Sequence, residues 1–276
     1  MNSLQSKKIL AVIVTHNSHK FIDWCIEPLI ESHEICDIRI VDSGSTDTSY
    51  LKQIEKKVQT IHYEENIGFA KANNRALYDL DKYSAVLFLN PDARIESDSL
   101  ETLFARLVTA DSGYGIFSVP LVKFDINKYE KEAQYDSLGI VCDKIGRWYD
   151  IREEVKDELP AIPVVDAICG AFMLIPCKVL EDCKTASGGI GFDESYYMYK
   201  EDIELSLRIS KKYKLKIYND IYAYHCRGWN KDRKSVPYWS RLVSAKNDIK
   251  IALSYRVKNL PFAYIKYLYV RFFEAR

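Results

Sequence analysis

Four short β-like runs, at residues 9–14, 38–41, 58–63 and 84–89, alternate with segments of helical spacing. Nothing else in the chain constrains its fold as tightly. Residues 9–14 and 85–89 are apolar without a break, so neither face of those strands suits water. Phe21, Ile22, Cys25, Ile26, Leu29 and Ile30 share one helical face, with Asn17 or Ser18 as the cap. Residues 46–57 read as a second helix with Asp47 in its first turn, and residues 69–80 as a third. This alternation predicts an α/β fold: a doubly wound, Rossmann-like, mostly parallel sheet flanked by helices. It also gathers Thr15, Asp42, the Glu64-Glu65-Asn66 stretch and the Asn90-Pro91-Asp92 turn along one edge. That edge is where open α/β sheets bind ligands.

Beyond residue 96 the pattern loosens. Residues 97–110 read as a helix, and 115–125 and 135–151 as short strands and turns. Residues 164–175 read as a strand whose central Gly170 admits a close neighbour. Pro176 opens a further helix, and 185–191 is a loop. In "FDESYYMYKEDIELSLRI" the alternation of Ile203, Leu205, Leu207 and Ile209 suggests a strand, while Glu201, Glu204 and Arg208 have helical spacing. Periodicity leaves that element open. Residues 214–218 and 221–225 read as two strands about an Asn219-Asp220 turn.

The zero net charge conceals an asymmetry. Residues 226–276 hold 12 Lys and Arg against three acids, so this tail is near +9 and the rest near −9. Ten aromatics, Trp229 and Phe272 among them, lie in the same tail. Such a segment suits an anionic membrane surface, or equally a helical face packed on the domain. Seven cysteines without CxxC pairs favour reduced thiols. The start of the chain lacks a signal-peptide pattern, and no apolar stretch reaches the length of a transmembrane helix. A cytoplasmic protein is expected.

Several constellations carry chemistry. "DSGSTD", from Asp42, could bind an anion at a helix start, contact a base or ribose through Asp42, or simply cap the helix. There is no GxGxxG and no GxxxxGK[ST], which weakens dinucleotide and P-loop readings. Gly68 permits a tight turn or a close ligand, and Asn73 and Asn74 follow on the next helix. Pro91 must end the strand before it, leaving Asp92 at a strand end. One such carboxylate is enough to start a site for a cation carrying a diphosphate. Glu201 and Asp202 adjoin Tyr196, Tyr197 and Tyr199, and a carboxylate near apolar rings can serve as a general base. His225 ends a strand and suits a metal, although a lone histidine is commonly structural.

Taken in order, "AVIVTHNS", "IRIVDSGSTDTS", "ENIGFAKANNRAL", "LFLNPDARI", "CGAFMLIP", "GFDESYYMYKEDIELSLRISKKYKLKIY" and "AYHCRG" resemble the family 2 glycosyltransferases, in their rhamnosyltransferase-like branch. The resemblance spans roughly residues 9–228. It implies a GT-A fold, with a nucleotide-binding half at 1–95, an acceptor-binding and catalytic half at 96–228, and a basic, aromatic, helical C-terminal extension at 229–276. It implies inverting transfer from a nucleotide-diphosphate sugar, with Mg²⁺ or Mn²⁺. By motif, Thr15 and Asp42 match base and ribose contacts. Asn17, Ser43, Gly44, Asn66, Gly68, Asn73 and Asn74 would border the donor. Asn90-Pro91-Asp92 matches the family's DxD; with Asn90 in first place, Asp92 becomes the main metal carboxylate and strict metal dependence stays open. His225 matches a metal or diphosphate ligand. Asp202 matches the general base, Glu201 competes with it, and their segment tips towards helix.

The branch implies dTDP-L-rhamnose as donor, with UDP-sugars next. The implied acceptor is a saccharide, typically lipid-linked, in cell-surface polysaccharide or O-antigen synthesis at the inner face of the plasma membrane. Rival readings are a sugar nucleotidyltransferase, for which "VIVTHNSHKF" lacks the Gly-rich phosphate loop, and a non-catalytic saccharide-binding module. A nucleic-acid partner is not expected, because the basic tail holds no recognised binding motif.

Overall fold

The computed structural model describes residues 7–227 and 236–274. The first six residues and the opening of the C-terminal extension, including Trp229, lie outside the described residues. In chain order the elements begin β1 (Lys8–Thr15), α1 (Ile22–Glu31), β2 (Cys36–Ser43), β3 (Gln59–Tyr63), α2 (Phe69–Arg75), β4 (Tyr83–Leu89), β5 (Ala93–Arg94) and α3 (Ser97–Thr109). Then follow β6 (Tyr114–Ser118), β7 (Leu121–Asp125), β8 (Glu130–Ser137), β9 (Ile140–Cys142), β10 (Trp148–Asp150), β11 (Phe172–Pro176) and α4 (Cys177–Asp182). The chain ends with α5 (Glu201–Ile209), β12 (Lys214–Ile217), β13 (Ala223–His225), α6 (Tyr238–Tyr255) and α7 (Leu260–Phe273).

The main sheet runs β12-β6-β11-β4-β1-β2-β3. Its pairs are parallel except where β11 runs against β4 and β6. The unbroken apolar runs are explained by burial on both faces. Ile9, Ala11 and Ile13 of β1 join a cluster with Cys25 and Leu29 of α1 and Leu103 of α3. Leu10, Val12 and Val14 join another, with Ala72 of α2 and Leu180 of α4. A smaller sheet, β5-β13-β7-β8, stands beside the first, and the β5–β13 pairing sets His225 opposite Ala93, next to Asp92.

Four local expectations are corrected. Residues 46–57 do not form an α-helix; only a 3₁₀ turn at Ser49–Leu51 is regular, and Leu51 and Ile54 alone are drawn into the core. The third helix stops at Arg75, not at residue 80. Arg39 takes the carbonyls that would continue it, donating from Nη1 to Ala76 O (2.8 Å) and Tyr78 O (2.6 Å), and Asp79 then turns left-handed (φ 53°). Neither Asn17 nor Ser18 caps α1 through its side chain. Asn17 instead accepts from the backbone and hydroxyl of Thr46, both at 2.9 Å. Of residues 164–175 only Phe172–Pro176 is strand. Upstream, α5 side chains occupy the N–H groups a ladder would need: Ile168 N donates to Ser206 Oγ and Gly170 N to Asp202 Oδ2.

The open element is a helix, α5. Its decisive contact is Arg208, which donates to both oxygens of Glu204 at 2.9 Å with both side chains buried. That pairing needs the four-residue spacing of a helix. At the other end of the chain, α6 is not peripheral: its Ile251 belongs to the cluster that holds Ile203 and Tyr196.

Candidate active site

The buried strand β4 ends where Asn90 turns the chain. Asn90 N donates to Ala171 O (3.1 Å), and Ala93 N returns to Asn90 O (3.0 Å). Asp92 thereby emerges beside His225, with Oδ1 to Nε2 at 3.3 Å. The far nitrogen of His225, Nδ1, meets Asp136 Oδ2 at 2.8 Å. Asp136 is wholly buried and also accepts from Arg227 Nη1 (3.2 Å), whose Nη2 donates to Asp150 (2.8 Å). A charge relay of five side chains therefore backs the strand end. Burial opposes a charge on His225, but the carboxylates of Asp92 and Asp136 outweigh it and raise its pKa to about 9. Burial likewise pushes Asp92 up, and His225 more than offsets this, leaving it below the usual carboxylate value.

These residues fit a divalent cation of one type. Asp92 offers an oxygen and His225, once its Nε2 gives up the proton it points at Asp92, a nitrogen beside it, and the imidazole is oriented from behind by a carboxylate, as metal-ligating histidines usually are. Asn90 Oδ1, in the same turn, is a buried acceptor with no partner among the described residues. No group of three or more His, Cys, Asp or Glu suited to a metal occurs among the described residues. The arrangement therefore suits an ion such as Mg²⁺ or Mn²⁺ that takes the rest of its shell from phosphate and water, not an all-protein cage.

Asp202 stands one backbone bridge away. Ala171, which binds Asn90, follows Gly170, whose N–H donates to Asp202 Oδ2 (2.9 Å); Ile203 N donates to Oδ1 (2.8 Å). The fit is close, because a Cβ on residue 170 would lie 3.0 Å from Asp202 Cβ and press on that side chain. Burial raises the pKa of Asp202, the two N–H donors oppose the rise, and Asp150 adds to it. Glu201 is raised further, to about 8, by burial and then by the charge of Asp202. Its Oε2 is buried without a partner among the described residues. The two carboxylates thus divide: two N–H donors offset burial at Asp202, whereas Glu201 keeps an unpartnered Oε2 and a pKa raised to about 8.

A stability prediction follows from that division. Between the ordinary glutamate value and about 8, folding takes up a proton at Glu201, so its burial costs progressively more as pH rises. Glu201→Gln removes the cost. Its melting temperature should match the parent near pH 5 and exceed it by several degrees near pH 8, measured by thermal denaturation across that range. A parallel loss at both pH values would show that Glu201 is satisfied in a way the unpaired Oε2 excludes.

The segment entering α5 is strained. Tyr197, Tyr199 and Lys200 have φ of 60°, 67° and 72°, a region that costs non-glycine residues about 1–3 kcal/mol each. Asn247 of α6 holds this run: its buried Nδ2 donates to the carbonyls of Tyr196 (2.9 Å), Met198 (3.0 Å) and Tyr199 (2.7 Å). The ring of Tyr197 covers Gly68, where a Cβ would come within 2.4 Å of it. Its hydroxyl donates to Asn66 Oδ1 (3.2 Å). The segment entering α5 and the loop between β3 and α2 meet at that contact.

At the ends of β1 and β2, Thr15 and Asp42 are brought together. Thr15 Oγ1 donates to Asp42 Oδ2 (3.0 Å), as does Ser45 Oγ (2.5 Å), while Ser45 N donates to Oδ1 (3.1 Å). Ser43 Oγ bonds Asn66 Oδ1 (3.3 Å), which also accepts from Gly68 N (2.9 Å). Gly44 presses on Asn66, since a Cβ there would lie 2.5 Å from its nitrogen. Asn73 donates back to Phe69 O (3.0 Å), and Asn74 exchanges two hydrogen bonds with the backbone of Phe192. Both asparagine amides are thus engaged with the protein. Sequence reasoning missed Asp136, Asp150 and Asn247, and named Tyr197 only as one of the rings beside Glu201 and Asp202. Arg227, two residues after His225, lay inside "AYHCRG" without being singled out.

Comparison with known proteins gives this geometry a lineage. The chain is 27% identical over 219 residues to "Rhamnosyltransferase WbbL" of Escherichia coli (strain K12), covering 73% of this chain and 76% of the relative. It is 24% identical over 258 residues to "Glycosyltransferase GlyA" of Streptococcus pneumoniae serotype 4 (strain ATCC BAA-334 / TIGR4). That match takes in 89% of this chain but spans only 34% of GlyA. The fold is shared with the solved structure of GalNAc-T7 with UDP, GalNAc and Mn²⁺, at a TM-score of 0.67 and 14% identity, over 93% of this chain and 50% of that one. The expected GT-A fold is therefore the fold observed. A model of "Glycosyl transferase family 2" matches residues 10–183, from the first buried strand through the Asp92 turn to the Gly170 contact that holds Asp202, and the chain belongs to that family.

Proposed function

We propose that the chain moves a sugar, L-rhamnose from dTDP-L-rhamnose first and a UDP-sugar second, with inversion onto a saccharide acceptor carried on a lipid in cell-surface polysaccharide synthesis. The observation that supports the chemistry is the bridge Asp202–Gly170–Ala171–Asn90, which ties the Asp202 carboxylate through two hydrogen bonds to the turn that carries Asp92. The rhamnosyl reading is supported by the name of the WbbL relative.

In this reading Asp202 takes the proton of an acceptor hydroxyl. The freed oxygen bonds to the anomeric carbon on the face opposite the nucleoside diphosphate, whose bond to that carbon breaks. Glu201 contacts a neighbouring hydroxyl of the acceptor. Thr15, Asp42 and Ser43, with Asn17 and Gly44 in the adjoining loops, line the nucleoside side. Asn66 and Gly68 border the sugar, and Asn73 and Asn74 hold the wall behind them. Asp92 and His225 would hold Mg²⁺ or Mn²⁺, with Asn90 beside them; when bound, the cation neutralises charge on the departing diphosphate.

Thermal shift with dTDP, UDP, GDP, CDP and ADP, each with Mg²⁺, Mn²⁺ or chelator, tests the donor site. A ligand at ~100 times its dissociation constant adds about 2.7 kcal/mol. The expected result is selective stabilisation by dTDP, with UDP second, lost with chelator and lost in Asp92→Ala. Silence towards every nucleotide would overturn the donor assignment and leave a saccharide-binding module in its place. Selective stabilisation without any turnover on saccharide acceptors would do the same for catalysis.

A further inference from the structure

Helix α7 turns an apolar face to each side. Ala263 and Val270 are buried, and Lys266 on the inner side reaches Asp248 of α6. The outer side repeats the helical spacing with Pro261, Tyr264, Ile265, Tyr269 and Phe272, all exposed. Ile265 is 66% exposed and Phe272 65%. Leu253 and Val257 extend the patch across the preceding turn, at 58% and 66%. A continuous exposed patch of this size marks an interaction surface.

Its charge names the partner. Every fully exposed charged residue in 236–274 is basic: Lys246, Lys258 and Arg271. The two acids of that segment are neutralised within the protein, Asp248 by Lys266 and Lys200, and Glu274 by Arg241. Aromatic and aliphatic side chains flanked by cations, with no unpaired acid, are the composition of a helix lying in a membrane interface. No helix among the described residues is long and apolar enough to cross a bilayer. A second copy fits less well: antiparallel pairing of α7 would set Lys258 against the copy's Arg271, and like charges in register oppose association. We propose that the outer face of α7 docks in the plane of an anionic bilayer. The inference rests on α6 and α7 alone, independently of the donor reading.

The test is sedimentation of the full chain with phosphatidylglycerol-containing vesicles and with pure phosphatidylcholine vesicles, over a range of salt. Light scattering of the protein alone runs in parallel. The expected result is binding to the anionic vesicles that weakens with salt, and a loss of about ten-fold or more in partition for Ile265→Glu/Phe272→Glu. Both side chains are exposed, so the variant should keep its melting temperature and its response to nucleotide. No preference for anionic over neutral vesicles would overturn the proposal. So would a dimer that the double variant makes monomeric while the parent ignores vesicles.

Discussion

Asp202→Asn is expected to lower kcat by roughly 100- to 10,000-fold, the range attributed to a positioned base, with little change in donor affinity. The amide keeps the size of the side chain. Its oxygen can still accept from Gly170 N or Ile203 N, which together fix the carboxylate now, so what is lost is the capacity to take a proton. Turnover with acceptor, set beside thermal shift by donor nucleotide, separates the two effects. Because burial raises the pKa of Asp202, the parent should lose kcat on acidification at a pH above the usual aspartate value. Glu201→Gln should keep that acid limb, which distinguishes the roles of the two carboxylates. Near-parental turnover in Asp202→Asn would remove Asp202 from the role of base.

Asn247→Leu is expected to cost about 2–4 kcal/mol of stability, because three carbonyls would lose their donor, and to depress kcat by an order of magnitude or more. The residue touches no candidate substrate group. It acts through the left-handed run from Tyr197 to Lys200 that leads into Glu201 and Asp202. A purely structural role would lower the melting temperature alone. A positioning role lowers kcat at temperatures where the variant is fully folded, while leaving dTDP binding near the parent. Asn247→Asp should fare no better despite its shape, since a carboxylate would face three carbonyl oxygens with no proton to offer. Parental kcat in folded Asn247→Leu would confine the residue to stability.

Much of the site was legible because it lies at the ends of strands. The runs at 9–14 and 84–89 announce buried strands, and Pro91 must end the second, so the exit of Asp92 follows from local chemistry. Gly170 was legible as a close approach, and Asp202 is what approaches. Legibility failed where a distant side chain overruled local propensity. Residues 76–80 have helical character, yet Arg39, from a strand nearly forty residues earlier, takes the carbonyls. Residues 164–171 are apolar enough for a strand, yet α5 takes the N–H groups of Ile168 and Gly170, and only an isolated bridge from Ala167 to Ile140 forms.

The C-terminal segment divides in the same way. Its charge and aromatic content were plain in the sequence and left a packed face and a membrane surface equally open. The structure splits the segment: α6 is packed, with Asn247 and Ile251 buried, and α7 turns its outer stripe to solvent. Sequence by itself determined the α/β alternation, the strand-end carboxylate and the family, because each rests on contiguous residues and short-range rules. Only tertiary structure decided which carboxylate receives two N–H donors, what stands behind His225 and what holds the strained turn before Asp202. Those depend on burial and on partners that the chain brings back from far along the sequence, as Asp136 is from His225, 89 residues away.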